Sequence, residues 1–365
     1  MKLKLSLIVT IALTLIGLII WESYWRSEGY YPNLNDDKAL WAMERSKVEK
    51  ATTEDVVILG SSRAFFDLQV QEWQKCTGRF PFQLASTGSS PLPTFHDIVN
   101  NTDFTGIIVI GVAPGLFFST TQPGAFPWRR AQSKVDYFKS ETYAQKLNHR
   151  LSIPLQRNLV LISADEEEWY DDIDLKALLY RIELGDRTKG PDFPPFYNFG
   201  DVTIPRNMSL SYKTEHDKEF AQKVIDVWNF EPPEPPEPQE TSTIEVDTLQ
   251  VKVEEKKPEW PDKEGTIAYF LEDLETFKKR NGKVVLVRCP SSGVVRQREL
   301  KELPREQFWD SLVAVSKVPS YHFEDYNQFK DLSCPEESHL SQKDAEFFTR
   351  ELIKVLYNDR VLVKD

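Results

Sequence analysis

Apolar and polar positions alternate along this chain with two different periods. Short unbroken apolar runs rich in β-branched residues occur at Asp55–Gly60 (DVVILG), Phe82–Ala85, Gly106–Val112 (GIIVIGV) and Lys283–Arg288 (KVVLVR), with a weaker one near Tyr321–Phe323. Runs this short and continuous predict strands covered on both faces, as in parallel sheets. Elsewhere apolar residues recur every three or four positions, notably over Ile267–Arg280 and Gln342–Tyr357, which predicts helices with one buried stripe. The alternation predicts an α/β fold: a doubly wound, flavodoxin-like parallel sheet of five strands.

About 170 residues separate the third and fourth predicted strands, far more than a crossover needs, so a large insertion with structure of its own is expected there. Within it, 131–230 reads as mostly helical: Ala131–Glu183 has helical periodicity, while Gly190–Pro205, rich in Pro, Gly and aromatic residues, reads as an ordered loop. Glu231–Glu264 holds seven prolines, 11 Asp/Glu and 4 Lys, with little apolar surface. That composition predicts an extended, solvated insertion with polyproline character at its start, or a partner-binding tether.

The N-terminus carries a different pattern. Lys2 and Lys4 precede an uncharged apolar run, Leu5–Trp21, of 17 residues. As a helix it reaches about 25 Å, close to the thickness of a bilayer core. It ends in Ile19, Ile20, Trp21 and Glu22 rather than in small residues, which favours an uncleaved anchor over a signal peptide. Lysines on one side and Trp21, Tyr24 and Trp25 on the other predict a single pass with a cytoplasmic N-terminus and an extracytoplasmic, periplasmic-type main domain. The expected organisation is therefore anchor 1–22, juxtamembrane segment 23–53, α/β domain 54–357 and tail 358–365, the domain carrying the insertions 131–230 and 231–264.

Charge and composition narrow the chemistry. A net charge of -12 has the wrong sign for tracking a phosphate backbone, and no basic stripe offsets it, so nucleic acid is not expected as a partner. Three cysteines, Cys76, Cys289 and Cys334, are too few for a disulfide framework and show no CxxC spacing. One pairing, Cys289 with Cys334 and Cys76 left free, suits an oxidising compartment. His96, His149, His216 and His322 lack paired ligand spacing, and no GxxxxGK or GxGxxG loop occurs, so neither metal nor cofactor is expected.

Two segments carry candidate chemistry. Gly60-Ser61-Ser62-Arg63 ends the first predicted strand, at the carboxyl edge where doubly wound folds place their sites, and opens a helix whose N–H groups favour negative charge. A helix cap at Ser61 or Ser62 is the plainer reading of Gly60-Ser61-Ser62 alone. Near the other end, His339 lies in Glu336-Glu337-Ser338-His339-Leu340-Ser341, just before a helix that Ser341 and Asp344 would cap. A serine needs a base and the base needs a carboxylate; His339 and Glu336, three residues apart, can supply both. Arg63 and Arg288, at strand ends, read as surface ion pairs or as contacts to an anionic substrate.

These residues resemble the SGNH superfamily, the GDSL-like serine esterases and acyltransferases. The Gly-Asp-Ser block of that family is matched by Gly60-Ser61-Ser62, which implies Ser62 as nucleophile. Its second block is matched by LASTGSS, which implies that the N–H groups of Ser62 and Gly88 form the oxyanion hole. Its last block, Asp-x-x-His followed by leucine and a capped helix, is matched by Glu336-x-x-His339-Leu340 with Glu in place of Asp. Order and spacing agree from about residue 54 to residue 357. The third block, Gly-x-Asn-Asp, is not met: Gly111-Val112-Ala113-Pro114 has alanine where an amide donor is expected, and loss of one such donor costs roughly 10²-fold to 10³-fold in rate. The first block also lacks its aspartate. The anchor and Gly-Ser-Ser-Arg look more like the membrane-tethered branch that moves acyl groups on cell-surface polymers beside a membrane-bound O-acyltransferase. The resemblance thus implies a serine esterase or O-acyltransferase acting on an acylated glycan or other ester, partnered by that acyltransferase or another envelope protein. The other class of function is a catalytically weak or inactive binding or assembly subunit of an envelope complex; a purely structural anchored domain would make the Ser62/His339 pairing coincidental.

Overall fold

The structure, a computed structural model, describes residues 2–119, 125–162, 194, 196–229 and 260–363. Its sheet strands are β1 (Val56–Leu59), β2 (Phe82–Gln83), β3 (Ile107–Gly111), β6 (Lys283–Arg288) and β7 (Ser320–His322), with a hairpin, β4 (Gly200–Thr203) and β5 (Asn207–Leu210), between β3 and β6. Ahead of β1 come α1 (Lys2–Ser27) and α2 (Lys38–Arg45). Next are α3 (Ser62–Asp67), α4 (Val70–Thr77), α5 (Leu92–Asn101), α6 (Pro114–Phe117), α7 (Phe126–Ser140) and α8 (Tyr143–Gln156). After the hairpin come α9 (Tyr212–His216), α10 (Lys218–Trp228), α11 (Lys263–Lys279), α12 (Gly293–Glu302), α13 (Trp309–Ser316) and α14 (Gln342–Asn358).

All five sheet strands are parallel, in the order β2-β1-β3-β6-β7. Each falls within a residue or two of an apolar run in the sequence, and β1 and β3 are buried along their whole length. Alternate residues feed two apolar clusters. Val56, Ile58, Ile107, Val109, Val285 and Val287 join residues of α3, α4, α10, α14 and the hairpin. Val57, Leu59, Ile108, Ile110 and Leu286 join residues of α2, α5, α7, α11 and α13. Parallel strands in register bring Gly60, Ser86, Val112, Cys289 and Phe323 out at one edge of the sheet.

Local rules explain the element ends. Ser341 Oγ accepts the Asp344 N–H and caps α14, as its sequence predicts. Thr142 and Gln145 form a reciprocal capping box on α8. Gly78 ends α4 at φ +81, a left-handed position that favours glycine.

Several expectations change. Gly190–Pro205 is not simply a loop: Gly200–Thr203 pairs antiparallel with Asn207–Leu210, while 190–193 and 195 lie outside the described residues. Of the helical stretch Ala131–Glu183, α7 and α8 account for the part up to Gln156, and 163–183 lies outside the description. The acidic Pro-rich segment falls outside it over 231–259, and its last residues, Lys263 and Glu264, begin α11. Residues 23–53, expected to be juxtamembrane, contribute Leu40, Trp41 and Val48 to the core. Cys289 and Cys334 are not paired: all three cysteines are free thiols. Cys334 is instead tied to Ser292, whose Oγ accepts its N–H at 3.0 Å.

Leu3–Ser27 of α1 is long and apolar enough to cross a membrane, and its apolar window is not buried in the protein. Its end is attached to the domain. Glu22 accepts the N–H groups of Val160 and Leu161, each at 3.0 Å, and Arg26 donates to the Asn158 carbonyl at 2.8 Å.

Candidate functional site

Ser62 is the first residue of α3, delivered there by the turn after β1. Gly60 in that turn has φ +150, and a Cβ on it would lie 2.5 Å from the Ala64 methyl. A Cβ on Gly111, at the end of the neighbouring β3, would lie 2.4 Å from the same methyl. Two glycines therefore let α3 start tight against the sheet. Ser61 occupies the N-cap position but makes no capping hydrogen bond, and its buried Oγ has no partner, so the plain capping reading does not describe this serine pair. Because α3 is only six residues long, it offers the unpaired N–H groups of its first turn more than a long macrodipole.

Ser62 opens onto a cleft of about 870 Å³ that Gly88, His339, Glu299 and Arg130 also line. Its apolar wall includes Phe66, Phe199, Met208 and Trp228. Gly88 follows β2 in a turn at φ +60, and a side chain there would approach Arg130 Nη1 to 3.2 Å. That turn is tied to the first one, since the Ser86 N–H donates to the Gly60 carbonyl at 3.0 Å.

His339 and Glu336 meet as the three-residue spacing predicts. His339 Nδ1 lies 2.8 Å from Glu336 Oε1, and the same oxygen accepts the His339 backbone N–H at 2.6 Å. The other oxygen, Oε2, accepts the Trp228 indole N–H at 2.6 Å. Glu336 is fully buried and His339 nearly so, the imidazole lying 4.5 Å from the Phe66 ring and against Phe199 and Trp228. A carboxylate accepting from Nδ1–H leaves Nε2 as the basic nitrogen. His339 Nε2 is buried and has no hydrogen-bond partner, so it is not bonded to Ser62 Oγ in this structure. A buried polar atom without a partner is the exception in folded proteins and needs an explanation.

The nucleophile candidate and base candidate are held together by groups that the sequence did not single out. Asp67, at the end of the helix that Ser62 begins, accepts the Leu340 N–H at 3.0 Å through Oδ1, next to His339. Thr349 of α14 donates to the Asp67 carbonyl at 3.0 Å. Burial pushes the Asp67 carboxyl well above the usual range, and Oδ2 has no partner. Its place five residues after Ser62 was a faint signal; Trp228, 108 residues from Glu336, left none.

Arg63 and Arg288 are not surface ion pairs. Both are buried and both bind Glu299 of α12: Arg63 Nη1 donates to Oε1, Arg288 Nη2 to Oε2, and Ser291 Oγ to Oε2 at 2.8 Å. Burial pushes the Glu299 carboxyl up, but the two guanidiniums prevail and hold it at about 2. Burial lowers Arg288 to about 10.

Ala113 is buried at the start of α6 and does not line the cleft, although Gly115 and Leu116 do. Its methyl offers no donor to the site. His96, His149, His216 and His322 do not line the cleft either; His96 pairs with Asp273 at 3.0 Å and His322 accepts the Glu324 N–H at 3.2 Å. The chain matches no protein-family model and no curated protein.

Proposed function

We propose that this protein is a membrane-anchored, SGNH-like serine esterase or O-acyltransferase acting on ester-linked acyl groups of a cell-surface glycan or polymer. The observation that carries the reading is the buried Glu336–His339 pair, with Nδ1 committed to the carboxylate and Nε2 unpartnered, beside a cleft that Ser62 lines. In the proposed mechanism Ser62 Oγ attacks the ester carbonyl while His339 Nε2 takes its proton, and Glu336 stabilises the imidazolium. The N–H groups of Ser62 and Gly88 hold the oxyanion. Collapse of the tetrahedral intermediate breaks the ester C–O bond, and the imidazolium protonates the departing alkoxide. Water or a glycan hydroxyl then attacks the acyl-Ser62 carbonyl as His339 Nε2 takes its proton; the acyl C–Oγ bond breaks, the imidazolium returns the proton to Ser62 Oγ, and the acid or the new ester leaves. Catalytic hydrogen bonds are often absent or poorly aligned before substrate binds, so the reading does not need a Ser62–Nε2 bond in the free protein.

The same reading takes 54–357 as one doubly wound domain with its insertion between the third and fourth sheet strands, facing away from the cytoplasm, beside a membrane-bound O-acyltransferase or another envelope protein. A second reading, a weak or inactive assembly subunit, is favoured by Ala113 and by the absent Ser62–His339 bond. A fluorophosphonate probe tests between them. Labelling of the purified protein at Ser62, lost in His339→Ala, supports the enzyme; an unlabelled Ser62 with no turnover of activated esters favours the subunit.

A further inference from the structure

Helix α8 carries an apolar face that the described residues leave uncovered. Tyr143, Leu147, Leu151 and Leu155 recur every four residues and are 92%, 59%, 61% and 46% exposed. The helix turns His149 and Gln156 inward, and the Gln156 side chain accepts the Asn35 N–H at 3.0 Å. At about 100° per residue, the four apolar side chains project from the side opposite this inward face. A stripe this exposed and continuous marks a contact surface rather than scattered surface leucines.

Two independent observations identify what covers it. The first is place. The turn after α8, Val160–Ile162, is where Glu22 of α1 accepts two N–H groups, and Arg26 of α1 bonds the Asn158 carbonyl. The C-terminal end of α8 is thereby fixed beside the end of α1, at the level of the Trp21, Tyr24 and Trp25 cluster. Aromatic clusters of this kind sit at a membrane–water interface. The second is charge. From Thr142 to Ile162 the chain has three basic residues, Lys146, Arg150 and Arg157, and no acidic one, in a protein of net charge -12. Lys146 lies 3.6 Å from Glu141, whereas Arg150 and Arg157 are exposed. An apolar stripe flanked by basic side chains is the pattern of a helix lying in a lipid headgroup layer.

We infer that α8 is an interfacial helix: its Tyr143/Leu147/Leu151/Leu155 face inserts into the same bilayer surface at which α1 ends, with Arg150 and Arg157 on anionic headgroups. The domain is then held against the membrane at two points instead of swinging on a single tether. This inference rests on α1 being embedded in a bilayer and not on the chemistry of Ser62.

The test is nitroxide depth measurement on the full chain in a Cys76→Ser background, reconstituted in phosphatidylglycerol-containing liposomes. Labels are placed at Leu151→Cys on the stripe, Gln222→Cys on the exposed side of α10 and Leu13→Cys in α1. The expected result is a preference for oxygen over a water-soluble nickel chelate at Leu13 and at Leu151, severalfold above that at Gln222. Neutralising Lys146, Arg150 and Arg157 to Gln, or using phosphatidylcholine alone, should weaken lipid contact at Leu151 by up to about fivefold per charge. A Leu151 label as water-accessible as Gln222 would overturn the inference. So would one shielded from both reagents, because a protein partner or second copy would then cover the face. A water-accessible Leu13 would remove its foundation, and fluorophosphonate labelling of Ser62 would remain a separate question.

Discussion

Two buried glutamates stand near the cleft and are held in opposite ways. Glu299 is saturated, with one oxygen on Arg63 and the other on Arg288 and Ser291, so its network is closed. Glu336 is saturated too, by Trp228 and by the backbone and ring of His339, but the chain of bonds ends on an open atom, Nε2. A closed charged network in a protein interior fixes geometry, and removing one member leaves the others uncompensated. A network that ends on an unpartnered base leaves capacity for a proton. The contrast separates scaffold from candidate chemistry in a site where burial alone would treat both carboxylates alike.

The comparison breaks most sharply through rate. Ser62→Ala and His339→Ala should each lower turnover of a small activated ester by roughly 10⁴-fold or more, with the domain still folded and the thermal midpoint of Ser62→Ala nearly unchanged. Full activity in Ser62→Ala would remove the nucleophile assignment. Glu299→Gln should act the other way: two buried guanidiniums lose their counter-charge, and denaturant unfolding should show a loss of about 3–5 kcal/mol. Unchanged stability there would mean that the closed network does not hold the site.

Acid titration sharpens the same contrast through opposite signs. Glu299 is held at about 2 against an ordinary 4.5, so its contribution is present above 4.5 and is lost as pH falls from there towards 2. Asp67 is pushed upward, so the folded state binds its proton more tightly and stability declines as pH rises above the ordinary 3.8 towards the higher folded value. Asp67→Asn keeps an oxygen for the Leu340 N–H and should be neutral or mildly stabilising at pH 7, with the decline above pH 3.8 removed from the unfolding profile. A large loss at pH 7 would show that the charged form is the one the fold uses. The smallest effect is expected at Ser61→Ala: with no capping bond to lose, stability should move by less than about 0.5 kcal/mol, against the ~1 kcal/mol of a working cap. A loss of the full cap value, read by thermal unfolding, would restore the capping role.

Sequence alone was enough for the parts whose physics is local. Continuous apolar runs such as GIIVIGV specify buried parallel strands because a strand covered on both faces needs every residue apolar. The capping of α14 and the Glu336–His339 contact also lie within a few residues of chain, where spacing and reach settle the geometry. Tertiary structure decided the rest. The two arginines that bind Glu299 are 236 and 11 residues away in sequence, and Trp228 reaches Glu336 across 108. Polar side chains at such separations carry no periodic signal. The hairpin of β4 and β5 was likewise hidden, since GDVT and NMSL are short and only weakly alternating. Their pairing is anchored by distant residues: Asn33 of the segment after α1 bonds Gly200 and Val202, and Arg206 in the turn binds Asp36 and the end of β2. Sequence therefore determined which residues had to be buried or capped near themselves, while folding decided which buried polar groups would find partners and which, His339 Nε2 among them, would not.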